Sequence, residues 1–128
     1  MKFMLMMQCT RADFASLSAW SAADFKAHIE FMLGFAKHLT ATGELVLAEG
    51  LDAPQAARIV RAQKGPPTVT DGPFAESKEF LAGFWIVDCE SRERAIEIAA
   101  QASAAPGPGG GPMGIPIELR QVMCAPDV

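Results

Sequence analysis

The sequence predicts an α+β fold: a ferredoxin-like split βαβ sandwich with two helices packed on one face of an antiparallel sheet. Three observations predict it. The segments run strand, helix, two or three strands with a hairpin, strand, helix, strand, which makes two βαβ-like halves. Both helical segments open on a serine cap, Ser21 and Ser91. Two strands, Lys2 to Cys9 and Gly83 to Asp88, are apolar on both alternating faces, so each needs cover on both sides.

Taken in order, Lys2 to Cys9 is the first strand. Four of its first seven positions from the chain start are methionine (Met1, Met4, Met6 and Met7), with no Cys or His among them at ligand spacing, so they read as core packing. Thr10 to Trp20 is a mixed connection. Ser21 caps the first helix, Asp24 favours the positive end of its dipole, and Gly43 stops it. Its core stripe is Phe25, Ile29, Met32, Leu33, Ala36 and Leu39; His28 lies at the stripe's edge and His38 opposite it. Phe31 and Phe35 fall outside the stripe, which asks for cover on a second side, from loops or a partner copy.

Glu44 to Leu51 is a second strand and Asp52-Ala53-Pro54 breaks it. Ala56 to Gln63 fits a half-exposed third strand, Lys64 to Pro67 a turn, and Thr68 to Thr70 a short strand. After Gly83 to Asp88 comes the second helix, with Ala95, Ile96, Ile98, Ala99 and Ala102 as its apolar face. Ala105 to Gly114 is a loop inside the domain; it lacks both the Gly-Lys-Ser/Thr ending of a P-loop and the spacing of a dinucleotide fold. Ile115 to Met123 is the last strand, with Pro116 marking its start or an edge.

A length of 128 residues suits one domain, 1–128. The net charge of −4 argues against a nucleic-acid surface, which needs a basic patch. The longest uninterrupted apolar run, Phe3 to Met7, is too short to span a bilayer, and no signal peptide is expected. Cys9, Cys89 and Cys124 have no zinc spacing, and read as reduced thiols of a cytoplasmic protein. No metal or cofactor is required. The apolar strands leave one sheet face uncovered, and a second copy stacked on that face would cover it; a homodimer is therefore expected.

The polar groups gather around Asp71-Gly72-Pro73-Phe74-Ala75-Glu76-Ser77-Lys78-Glu79, a turn phrase ahead of the strand Gly83-Phe84-Trp85-Ile86. Asp71 is the candidate general base, since a carboxylate over an apolar pocket has its pKa raised; His28 is the second proton-transfer candidate. Glu49, Phe74, Glu76, Lys78, Trp85 and Arg120 form the candidate ligand-binding set, with Arg120 able to hold a ligand carboxylate bidentately. Each has a structural alternative: Asp71 as a turn residue, Glu76 and Lys78 as a solvated face, Arg120 as a cross-strand partner.

The same phrase, Thr70 to Glu79, resembles the signature of the DGPF group of YCII-related proteins. The resemblance extends to Lys2-Phe3-Met4-Leu5, to Glu44-Leu45-Val46 and Glu49-Gly50-Leu51 after Gly43, to Ala82 through Asp88, and to Ile117 through Val122. It implies a ferredoxin-like domain pairing as a dimeric α/β barrel. For function it implies either degradative chemistry on small cyclic compounds by a His–Asp pair, or a regulatory role beside extracytoplasmic-function sigma factors. Neither His28 nor His38 stands where the histidine-bearing pattern has its histidine relative to Gly43, so the His–Asp mechanism is not carried over. The expectation is a small cyclic or acidic metabolite bound at a dimer-associated pocket, in a sensing context; the alternatives are an isomerase- or lyase-type enzyme using Asp71 or His28, and a protein-interaction module.

Overall fold

The computed structural model describes residues 1–127. Its centre is a four-stranded antiparallel sheet in the order β2–β5–β1–β6, built from β1 (Lys2–Thr10), β2 (Leu45–Gly50), β5 (Glu79–Asp88) and β6 (Ile117–Gln121). A separate two-stranded hairpin, β3 (Arg58–Gln63) and β4 (Gly65–Asp71), stands outside that sheet. Three helices complete the chain: α1 (Arg11–Ser16), α2 (Ala22–Ala41) and α3 (Arg92–Ser103). The expected α+β sandwich is therefore present, with the first and third of its four sheet strands at the centre.

The two central strands sort their side chains by the period of two. Phe3, Leu5, Met7 and Cys9 of β1, with Trp85 and Val87 of β5, are buried in one core with Phe35 and Leu39 of α2 and Ala95, Ile98, Ala99 and Ala102 of α3. Alanines on α3 let its backbone approach the sheet closely. On the opposite face, Met4 pairs with Ile86 and Met6 with Phe84; these four remain part-exposed. β6 adds Arg120 beside Met4 and Glu118 beside Met6, and β2 adds Leu47 beside Ile86 and Glu49 beside Phe84. This face is an apolar strip edged by charge.

Helix α2 is fixed at both ends. The Ser21 hydroxyl accepts from the Asp24 amide at 3.1 Å. At the other end Gly43 takes φ +78°, where a side chain would be strained, and the amides of Gly43 and Glu44 return to the carbonyls of Thr40 and Leu39. At Gly83 the requirement is space: a Cβ there would lie 3.0 Å from the Glu49 carbonyl oxygen of β2.

Five elements differ from the sequence-based expectation. Residues 10–20, expected as a mixed connection, hold α1: the Thr10 hydroxyl accepts from the Asp13 amide, and the Asp13 carboxylate accepts from the Thr10 amide at 2.7 Å, a reciprocal capping box. The buried stripe of α2 is rotated. Phe35 enters the core and stacks on Phe31, while Phe25, Ile29 and Leu33 face outward, Leu33 with 67% of its surface exposed. The expected Lys64–Pro67 turn is shorter, since β4 already begins at Gly65, and β5 begins at Glu79 rather than Gly83. Ile96, assigned to the apolar face of α3, is exposed.

Candidate functional site

A cavity of about 480 Å³ opens between α2 and the helix-covered face of the sheet. Its floor is Met7 and Cys9 of β1 and Trp85 of β5; its roof is His28, Met32 and Ala36 of α2. Asp13, Phe14, Leu17 and Trp20 close one side, and Met113 and Ile115 another. Each wall has a local cause. The capping box sets α1 immediately after β1, bringing Asp13 and Phe14 over the end of that strand. The rotation of α2 points His28 inward with Phe35, beside Met32.

His28 is held in the cavity wall by a backbone carbonyl and an aromatic ring. Its Nδ1 lies 3.0 Å from the carbonyl oxygen of Pro106. A carbonyl only accepts, so Nδ1 carries the hydrogen, and in the neutral ring Nε2 keeps its lone pair. Trp20 sets its ring edge-on to the imidazole, at 5.6 Å between centroids and 87° between planes. The Pro106 carbonyl is itself held by the glycine-rich loop. That loop is tied by Gly107 N–H to Gly111 O and Met113 N–H to Ala105 O, and fastened to α2 by Gly109 N–H donating to Asp24 at 3.3 Å. The loop is thus a brace for the imidazole.

The remaining polar groups are acidic. Asp13 commits Oδ2 to the Thr10 amide, which leaves Oδ1 without a partner among the described residues. The Cys9 thiol is pushed up to about 11, first by burial and then by the negative charges of Asp13 and Glu79. It stays a protonated thiol near neutral pH and is a poor nucleophile. Glu49 and Phe84, whose side chains alternate toward the open face, border the cavity where β2 ends. No lysine or arginine is among the described residues that line it.

The candidate residues named from sequence therefore separate. His28, Trp85 and Glu49 come together at this cavity. Asp71 ends β4, with 93% of its side chain exposed, and faces Arg58 at 3.5 Å across the hairpin. Phe74, Glu76 and Lys78 are exposed on the loop between β4 and β5. That loop overhangs a second hollow of about 440 Å³ with Pro73, Ser77, Glu79 and Phe80 in its wall. Arg120 is on the open sheet face. Sequence reasoning missed Cys9, Asp13, Trp20 and the Pro106 carbonyl. The signal for Asp13 was present as Thr10 followed three residues later by an acid, the pattern of a capping box. Among the described residues, no three His, Cys, Asp or Glu side chains are grouped to hold a metal ion. No helix among them is long and apolar enough to cross a membrane.

The chain folds as a two-layer α+β sandwich with a cavity beneath its long helix and one open sheet face. It belongs to the YCII-related family, whose domain profile matches residues 1–107. It is also similar to an uncharacterized protein of Rhizobium meliloti (strain 1021), 33% identical over 93 residues, which cover 73% of this chain and 75% of that one.

Proposed function

We propose that the chain binds a small ring-containing metabolite in the cavity beneath α2, and that it works as a homodimer joined through the open sheet face. The observation that carries the binding reading is His28: an imidazole fixed by Pro106 and Trp20, with Nε2 unpartnered among the described residues, in a largely apolar cavity of metabolite size. Flat rings suit walls made of Trp85, Phe14 and three methionines, Met7, Met32 and Met113. The homodimer reading is supported by the strip Met4, Met6, Phe84 and Ile86, which a second copy would remove from water. Ligand binding to such a dimer would suit a sensing partner in regulation.

The test is a thermal-shift screen against small cyclic metabolites, since a ligand of the folded state raises the melting temperature by mass action. Hits with the native protein that vanish in Met32→Trp, which fills the cavity, support the reading. Hits that persist in that variant, or a blank across the whole screen, overturn it and leave the interaction module as the better account.

A second reading is favoured by the same imidazole. With Nδ1–H anchored, Nε2 is set to take and return a proton, as an isomerase- or lyase-type step requires. His28→Gln separates the two: an enzyme loses turnover while retaining binding, and a receptor has no turnover to lose.

A further inference from the structure

We propose that the cavity beneath α2 selects a cation, and that its ligand is an aromatic or alicyclic amine. This rests on the cavity being the binding site, and it names the ligand's chemical class.

The walls supply one sign of charge. Asp13 stands in the cavity wall with Oδ1 unpartnered among the described residues, while the Glu49 side chain at the end of β2 turns toward the open sheet face. No lysine or arginine is among the described residues lining it, so an entering carboxylate would meet the like charge of Asp13 with no guanidinium or ammonium to offset it. The Cys9 thiol lies in the same wall. Burial acts on it first, and the Asp13 and Glu79 carboxylates then further disfavour a negative charge at that point of the wall. Arg120, the residue best suited to a ligand carboxylate, is on the opposite side of the sheet.

The apolar walls are also suited to a cation. Phe14, Trp20 and Trp85 present aromatic surface, whose faces attract ammonium groups through the ring quadrupole. Met7, Met32 and Met113 are polarizable and adapt to the rest of the ligand. In its neutral form His28 adds an acceptor at Nε2, able to receive an ammonium hydrogen. Carboxylate, aromatic face and imidazole acceptor together form an amine's environment, and the ring of the ligand would take the apolar remainder.

The experiment uses three probes on one scaffold, tryptamine, tryptophol and indole-3-acetate, titrated into the full-length protein by calorimetry and by thermal shift at pH 7. The expected order is amine over alcohol over acid, with the amine about tenfold tighter than the alcohol. Asp13→Asn keeps a side-chain oxygen for the Thr10 amide, so α1 retains its cap; it should remove most of the amine's advantage and leave the alcohol's affinity unchanged. The order of the three probes on the native protein stands as the test if Asp13→Asn folds poorly. Equal binding of alcohol and amine, or tightest binding of the acid, overturns the cation assignment while the cavity survives as a binding site. Failure of all three probes to bind at millimolar concentration, the alcohol included, overturns this proposal and counts against the cavity as the binding site.

Discussion

Arg94 and Glu44 form a forked ion pair between α3 and the segment that joins α2 to β2. Arg94 Nε donates to Glu44 Oε2 at 2.9 Å and Nη2 to Oε1 at 2.8 Å, with only 23% and 15% of the two side chains exposed. Thr42 adds a third hydrogen bond to the carboxylate. The Arg94 hydrogen bonds hold the Glu44 carboxyl below the usual glutamate range, against the opposing effect of burial. A depressed folded pKa stabilises the fold fully above the unfolded glutamate value of about 4.3, and this contribution is lost as pH falls through the lower folded value. Native protein should therefore lose stability below about pH 4 more steeply than Arg94→Met. Arg94→Lys, which keeps the charge but not the fork, should cost about 1 kcal/mol and lower the melting temperature by about 3–5 °C at neutral pH. Urea titrations of both variants from pH 3 to 7 check this.

Gly83→Ala should loosen β2 in particular. The added carbon meets the Glu49 carbonyl at 3.0 Å, and that atom belongs to the backbone, so the edge strand must move. We expect a loss of about 1–2 kcal/mol. Hydrogen exchange should show faster amides in β2 and unchanged protection across β1 and β6.

The three thiols should react in a fixed order. Cys124 is exposed, while Cys9 and Cys89 are buried and both are held above the usual thiol range, chiefly by burial. A maleimide at pH 7 should label one site per native chain quickly, and peptide mapping should find it at Cys124. Rapid labelling of Cys9 would mean that the cavity wall opens.

Ile86→Glu tests the proposed homodimer. Light scattering of the native protein should give twice 13.6 kDa. The variant places a carboxylate beside Met4 in the middle of the open strip, and should give the single-chain mass with its helical signal intact.

Asp71→Asn should change little. The side chain is almost wholly in water and its contact with Arg58 is long, so the loss should be within about 0.5 kcal/mol. Binding in the cavity beneath α2 should be unaffected. A loss of ligand binding in this variant would move the site to the hairpin and the loop that follows it.

The sheet was legible because β1 and β5 are apolar on both faces, and the serine caps marked where α2 and α3 begin. The rotation of α2 was not legible. Its apolar residues span a wide arc, and spacing alone does not tell which part of it meets the sheet; the positions of Phe35 and Leu39 against Trp85 decide that. The cavity was half-legible. His28 and Trp85 were named, but the group that orients His28 is a backbone carbonyl at Pro106, and a carbonyl leaves no trace in a sequence. Asp71 drew notice through its turn phrase, a local property that does not report what lies next to it in space.

The β3–β4 hairpin has a consequence for how this chain can vary. Every residue of β4 is exposed, and Val60 faces Val69 in water. At the base, the Gly72 amide donates to the Ala57 carbonyl at 2.9 Å, so the chain leaves the body and re-enters it at almost the same point. Residues 58–71 are thus an excursion closed at its neck. The four-stranded sheet receives no hydrogen-bonded partner from them, and shortening or replacing the arm would leave the polypeptide path through the core unchanged. A reporter peptide or affinity tag could be grafted at its tip without touching the cavity beneath α2.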